Sequence, residues 1–263
     1  MSEAIKVPTM AEYLAEGKKP EVLFWVGCAG SFDDRAKKIT KAFVKILNKT
    51  NIDFAVLGTE ESCTGDPAKR AGNEFLFQMQ AKMNIEVLNG YEIKKIVTAC
   101  PHCFNTIKNE YPELGGNYEV VHHTQFLKSL LEDGRLKVEG GKFKGKRITF
   151  HDPCYLGRAN GEYEAPRELL QKLEVELVEM KRCKTRGLCC GAGGAQMFKE
   201  PEPGNKDINI ERTEEAIETS PSIIAAACPF CNTMMTDGVK GKDKENDIEV
   251  MDVAEMIANA DEL

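Results

Sequence analysis

No run of the roughly 20 apolar residues needed to cross a bilayer occurs in this 263-residue sequence. Met1 to Pro20 lacks the apolar stretch of a signal peptide and carries Glu3, Glu12 and Glu16 instead. These two absences predict a cytoplasmic protein without direct membrane insertion, membrane-associated only through a partner subunit. Positive charge is short as well: Lys and Arg total 35 against 42 Asp and Glu, a net charge of -7. Phosphate recognition needs clustered basic side chains, so nucleic acid is not expected as a partner. The basic run Lys142, Lys144, Lys146 and Arg147 lies in a Gly-rich connector and reads as a solvated loop. A nucleotide-binding fingerprint, with a strand before it and a helix after, is also missing. Gly191-Ala-Gly-Gly194 comes nearest, but directly behind two cysteines it reads as backbone that lets a bound group approach closely.

What the chain does have is ten cysteines. In a reducing compartment so many thiols point to metal or redox chemistry rather than to disulfides. They also reveal a repeat. Val22 to Cys28 matches Arg147 to Cys154, each an apolar β-rich run ending in cysteine. Glu61-Ser-Cys63-Thr-Gly65 matches Leu188-Cys-Cys190-Gly191, and Cys100-Pro-His-Cys103 matches Cys228-Pro-Phe-Cys231. The offsets are 126 (28 to 154), 127 (63 to 190) and 128 (100 to 228, 103 to 231). Each half reads as strands alternating with helices, the helices including Arg35 to Leu47, Asn73 to Met83, Ala165 to Leu173 and Ile208 to Glu218. Short strands rich in Val and Ile, apolar on both faces, are those of a covered parallel sheet. The predicted fold is α/β: two tandem, pseudo-symmetric Rossmann-like halves with mainly parallel sheets. Residues 1–20 form an N-terminal extension, 21–138 the first half and 139–263 the second.

In such a sheet, ligands gather at the carboxyl ends of the strands. Cys28, Cys100, Cys154 and Cys228 each follow a strand candidate, while Cys63 and Cys189-Cys190 fall in loops that return to that edge. Three loops per half would then meet in one cavity, as they must to hold a metal cluster. The two Cys-Pro-x-Cys pairs open helices, whose free N–H groups lower thiol pKa and suit an anionic iron–sulfur cluster. Two alternatives stay open. Four thiolates per half satisfy tetrahedral zinc in a non-enzymatic interaction module, although lone loops about 36 residues apart and a fifth thiolate in the second half fit it poorly. A strand, then Cys-Pro-His-Cys, then a helix is also the local pattern of a thiol–disulfide oxidoreductase, yet that chemistry does not need the matching upstream cysteines.

The pattern Cys154…Cys189-Cys190-Gly191…Cys228-x-x-Cys231 resembles the CCG motif in the cysteine-rich subunit of heterodisulfide reductase. Related halves occur in the iron–sulfur subunit of glycolate oxidase and in lactate-utilisation iron–sulfur proteins. The resemblance covers nearly the whole chain. It implies iron–sulfur clusters of the 4Fe–4S type, with Cys154, Cys189, Cys190, Cys228 and Cys231 holding a non-cubane cluster at which a disulfide-like substrate is reduced. The first half departs from the motif, with Ser62-Cys63-Thr64-Gly65 where two cysteines and a glycine are expected. Cys28, Cys63, Cys100 and Cys103 would suffice for an ordinary four-thiolate cluster. Ser62 could add an alkoxide ligand, but its high pKa favours a hydrogen-bonding role. The segment Glu60 to Asn73 also resembles membrane-linked iron–sulfur reductases that pair with electron-transfer flavoprotein. The expected partners are therefore a ferredoxin-like iron–sulfur subunit, a flavoprotein subunit, or both.

Other residues carry weaker signals. Cys183, between Arg182 and Lys184, has no counterpart in the first half and reads as a structural thiol. His151 and His102 are the candidate catalytic groups, able to tune a cluster or move a proton; for His151-Asp152, hydrogen bonding at a strand end is the competing reading. His122-His123 reads as packing or capping.

Overall fold

The computed structural model describes residues 5–200 and 203–260. The first half contains β1 (Val22–Trp25), β2 (Phe54–Ala55), β3 (Lys95–Thr98) and β4 (Glu119–His122). The second contains β5 (Arg147–Phe150), β6 (Glu176–Leu177), β7 (Ile223–Ala226) and β8 (Glu249–Asp252). They form two four-stranded sheets, ordered β2-β1-β3-β4 and β6-β5-β7-β8, with every pairing parallel. Leu23 pairs with Ile96 in one sheet as Ile148 pairs with Ile223 in the other. The predicted α/β architecture and its internal duplication are thus present.

The helices follow from local chemistry. In Ala36–Lys49, Ile39, Phe43, Ile46 and Leu47 recur at helical spacing and are buried, while the Asp33 side chain accepts from the Ala36 N–H at 2.7 Å and caps the start. Asn73 caps Glu74–Gly90 by accepting from the Leu76 N–H. That helix runs seven residues past the expected end at Met83, because Ile85 and Leu88 continue its buried stripe. Pro101 and Pro229 occupy first-turn positions, where a missing N–H costs nothing. Pro101–Asn105 passes into a π-helical turn, Thr106–Glu110, whereas Pro229–Gly241 continues as α-helix.

One apolar cluster runs from Leu23, Phe24 and Trp25 through Ile148 and Phe150 to Met256 and Ile257, so the halves share a core. Val253–Ala260 packs on Ala36–Lys49, and Arg35 forms a bidentate pair with Glu255 at 2.7 and 2.8 Å. Thr9 bridges Val56 at the edge of the first sheet and places Met10 in the core. The connector is solvated only in part: Phe143 is buried, with the ammonium groups of Lys142 and Lys146 over its ring. Among the described residues, no helix is long and apolar enough to cross a membrane.

Candidate metal centre

The carboxyl ends of β1, β3, β5 and β7 lead within four residues to Cys28, Cys100, Cys154 and Cys228. Nine of the ten cysteines lie in one string of interacting sulfurs. Cys28 contacts Cys63, Cys100 contacts Cys103, and each of these pairs lies in the electrostatic field of the other. In the second half Cys190 and Cys231 are 3.4 Å apart, Cys154 and Cys189 are 4.0 Å apart, and Cys228 contacts Cys231. Cys100 and Cys228 interact directly, joining the two groups. Cys183 makes none of these contacts.

Backbone geometry brings the thiols together. Gly27 has φ +78°, and a Cβ there would sit 3.3 Å from the Cys103 sulfur, so glycine lets the β1 loop close on the other cysteine pair. The Glu61 side chain accepts from the N–H groups of Val26 at 3.0 Å and Gly27 at 2.6 Å, tying the Cys63 loop to the Cys28 loop. Burial pushes the Glu61 carboxyl up to about 7. Asn84 donates to the Cys63 carbonyl at 3.0 Å and to the Tyr111 hydroxyl at 3.1 Å. Ser62 donates to Asn84 at 2.8 Å. In the second half the Gly191 N–H donates to the Cys189 sulfur at 3.3 Å, which matches the close backbone approach expected there.

In the pairs Cys28–Cys63, Cys100–Cys103 and Cys154–Cys189 one thiol is held down and its neighbour up, whereas Cys190, Cys228 and Cys231 are all raised. Hydrogen bonding from Cys28 holds Cys63 at about 7, and Cys28 is raised by that bond and by burial. Cys103 and Cys228 hold Cys100 well below the ordinary thiol range. Bonds from Cys154 and Cys190 hold Cys189 far below that range, while Cys190 rises to about 12, chiefly through Cys189. The thiolate form is favoured at Cys63 and Cys100 in the first half and at Cys189 in the second. Cys28, Cys63, Cys154 and Cys189 are half-buried; Cys100, Cys103, Cys190, Cys228 and Cys231 are buried.

His102 stands between the halves. Its Nδ1–H donates to Asp66 at 2.9 Å, and its ring lies 4.3 Å from that of Tyr155 and 5.5 Å from that of Phe230. Burial disfavours its charge, but the Asp66 bond and the thiolates outweigh this and raise it above its usual range. His151 is fully buried. Its Nδ1 receives the Arg212 Nε–H at 3.0 Å, its Nε2 has no partner, and a ring nitrogen lies within 4.8 Å of the Cys190 and Cys231 sulfurs. Burial and then the Arg212 charge push it down to about 3. Asp152 instead forms a bidentate pair with Arg167 at 2.8 and 3.0 Å and accepts from the Lys184 N–H at 2.7 Å. The two readings of His151-Asp152 therefore divide between the residues: the histidine faces the thiols and the aspartate serves the strand end.

His122 starts the helix His123–Glu132, its N–H donating to Gln125 at 3.0 Å, as a cap should. His123 goes further and meets Asp252 of the second half at 2.9 Å, both fully buried. The sequence reading missed Glu61, Asp66, Arg212 and Asp252. Arg212 did leave a trace, since it falls four residues before buried Ala216 on an amphipathic helix.

The donor set is rich in sulfur, its sulfurs approach to 3.4 and 4.0 Å, and a buried imidazole stands beside them. This suits a sulfur-ligated cluster in each half. A model of the cysteine-rich CCG domain matches residues 22–108 and again 148–236. The "Probable iron-sulfur-binding oxidoreductase FadF" of Bacillus subtilis is 47% identical over 256 residues, which is 97% of this chain and 36% of the relative. The "EtfAB:quinone oxidoreductase" of Syntrophomonas wolfei is 46% identical, over 93% of this chain and 35% of its own length. One subunit of the dihydromethanophenazine:CoB--CoM heterodisulfide reductase of Methanosarcina barkeri is 36% identical, over 92% of this chain and 59% of that subunit. The chain thus spans about a third of the length of the first two and 59% of the third.

Proposed function

Because the chain belongs to the cysteine-rich CCG-domain family, we propose that it is the iron–sulfur part of a redox complex. Cys28, Cys63, Cys100 and Cys103 hold one 4Fe–4S cluster. Cys154, Cys189, Cys190, Cys228 and Cys231 hold a second, of non-cubane type. The observation that carries this reading is the string of nine interacting thiols, with Cys100 against Cys228 at its centre. Two clusters on those ligands would be neighbours, so an electron entering one half can reach the other directly. The clusters supply the one-electron chemistry; the chain holds them, shields them from water on the buried side, and leaves Cys154 and Cys189 half-buried, where a disulfide-like substrate can approach. Electrons arrive from a ferredoxin-like iron–sulfur unit or a flavoprotein, the partners that the sequence resemblance implies.

Thiol–disulfide exchange is disfavoured by burial. It requires an accessible thiolate, and Cys100 and Cys103 are only 2% and 6% exposed. Zinc is separated from iron by metal analysis. Protein prepared without oxygen should contain about eight irons with matching acid-labile sulfide per chain, two four-iron clusters. Zinc without sulfide would overturn the proposal.

A further inference from the structure

We propose that Arg212 fixes His151 as a hydrogen-bond donor to the sulfur of the second cluster, and that His151 is not an iron ligand. This rests on the proposed binding of a cluster by Cys154, Cys189, Cys190, Cys228 and Cys231.

The argument turns on which ring nitrogen carries the proton. A guanidinium has N–H donors only and does not deprotonate in proteins. Arg212 Nε stands 3.0 Å from His151 Nδ1, so Nδ1 presents its lone pair and the proton of the neutral ring sits on Nε2. That nitrogen is buried and has no hydrogen-bond partner among the described residues. A ring nitrogen lies within 4.8 Å of the Cys190 and Cys231 sulfurs; with Nδ1 taken by Arg212, the Nε2–H is the group of the ring left to donate, and sulfur is the acceptor beside the ring. A metal-bound histidine shows the reverse arrangement: one nitrogen ligates while the other donates to a carboxylate, a carbonyl or water. Here the second nitrogen faces a donor.

Arg212 is itself held in place. It is fully buried, and its Nη1 donates to the Arg182 carbonyl at 2.8 Å and to Glu215 at 3.1 Å. It is a positioning residue that acts through His151. At the equivalent place in the first half Val26 follows β1 where His151 follows β5, so no imidazole stands there. An N–H donor to cluster sulfur favours the more negative, reduced form and raises the reduction potential. The consequence is a histidine donor at this strand end in the second half only.

The test is an EPR-monitored redox titration of anaerobic protein, with iron and sulfide measured alongside. In His151→Phe the second-half signal should become about tenfold harder to reduce in equilibrium terms, about 59 mV for one electron, with the first-half signal and iron content unchanged. Arg212→Lys, which keeps a donor against Nδ1, should stay near the wild-type potential; Arg212→Gln, whose carbonyl oxygen can turn to Nδ1, should shift like His151→Phe. Pulsed EPR of the wild-type protein, which needs no variant to fold, should show a deuterium-exchangeable proton coupled to the cluster. Direct nitrogen coordination, loss of second-cluster iron in His151→Phe, or an unmoved potential would each overturn the proposal. Absence of iron and sulfide from the wild-type protein would instead sink the cluster assignment beneath it.

Discussion

Behind β1 the chain places Val26, Gly27 and Cys28; behind β5 it places His151, Asp152, Pro153 and Cys154. The first loop is pinned by Glu61, which takes the N–H groups of Val26 and Gly27. The second is pinned by Asp152, locked to Arg167 and to the Lys184 N–H. Farther on, Cys63 stands alone where Cys189 and Cys190 stand together. The helix after Cys100 breaks into a π-helical turn at Thr106, while the helix after Cys228 does not. The strand ends and the helices they open deliver three thiols per half to equivalent places, and the intervening loops decide how many more arrive and what polar groups attend them. Duplication preserved the frame and let the chemistry diverge.

The strongest way to break this comparison is to remove one thiol from each half. Cys190→Ala should abolish the second-half EPR signal and spare the first, and Cys63→Ala should do the converse. If both variants lose one identical spectrum, the halves hold a single kind of cluster and the assignment of unlike sites fails. A smaller but still large effect is expected where the halves meet. His122 and Asp252 hold equivalent positions: each ends the fourth strand of its sheet, and each N–H donates to the side chain three residues on, Gln125 or Glu255. The following residues, His123 and Val253, differ, and only the histidine reaches across to Asp252. Asp252→Ala strands both the His123 ring nitrogen and the Ala254 N–H, which Asp252 also accepts at 2.9 Å. At about 1–3 kcal/mol per buried group left unsatisfied, the loss from two groups should be about 2–6 kcal/mol. That corresponds to a fall in melting temperature of roughly 10 °C in a chain of this size. Asp252→Asn, which keeps an acceptor, should fall less; equal falls would show that the contact does not join the halves.

The parts of this molecule that could be read beforehand share a cause. The strands are short apolar runs, and the longer helices carry apolar residues at helical spacing, so local pattern and burial agree. The cysteine register of 126 to 128 residues exposed the duplication without any structural knowledge. What stayed hidden is either too short for periodicity or too distant in the chain. The helices Met10–Ala15, Gly27–Phe32 and Asp66–Arg70 have five or six residues, less than two turns, and offer no pattern. Asp66 meets His102 across 36 residues, Arg212 meets His151 across 61, and Asp252 meets His123 across 129. In Ile208–Ile217 the pattern even misleads, because Ile208 is 46% exposed while Arg212 is fully buried. A buried arginine defies the hydrophobic rule, and it is accommodated by the Glu215 carboxylate, the Arg182 carbonyl and the His151 ring.

Two milder substitutions sharpen the comparison within the first half. Gly27→Ala puts a Cβ 3.3 Å from the Cys103 sulfur on a residue with φ +78°. The left-handed backbone alone costs a side chain about 1 kcal/mol or more, so a loss of about 1–2 kcal/mol is expected, with the first-half EPR signal altered and the second untouched. The smallest effect belongs to Ser62, which occupies the place of Cys189. Its hydroxyl already donates to Asn84 at 2.8 Å, and Asn84 passes that contact on to the Cys63 carbonyl. If Ser62 only orders this loop, Ser62→Ala removes one hydrogen bond, about 1 kcal/mol, and leaves iron content and the first-half spectrum unchanged. If the serine were instead an oxygen ligand standing in for the missing thiolate, the same substitution would open a coordination position and change the spectrum. The proposed four-thiolate first site beside a five-thiolate second one predicts the unchanged spectrum, because Cys28, Cys63, Cys100 and Cys103 would already complete the ligand set of an ordinary four-iron cluster.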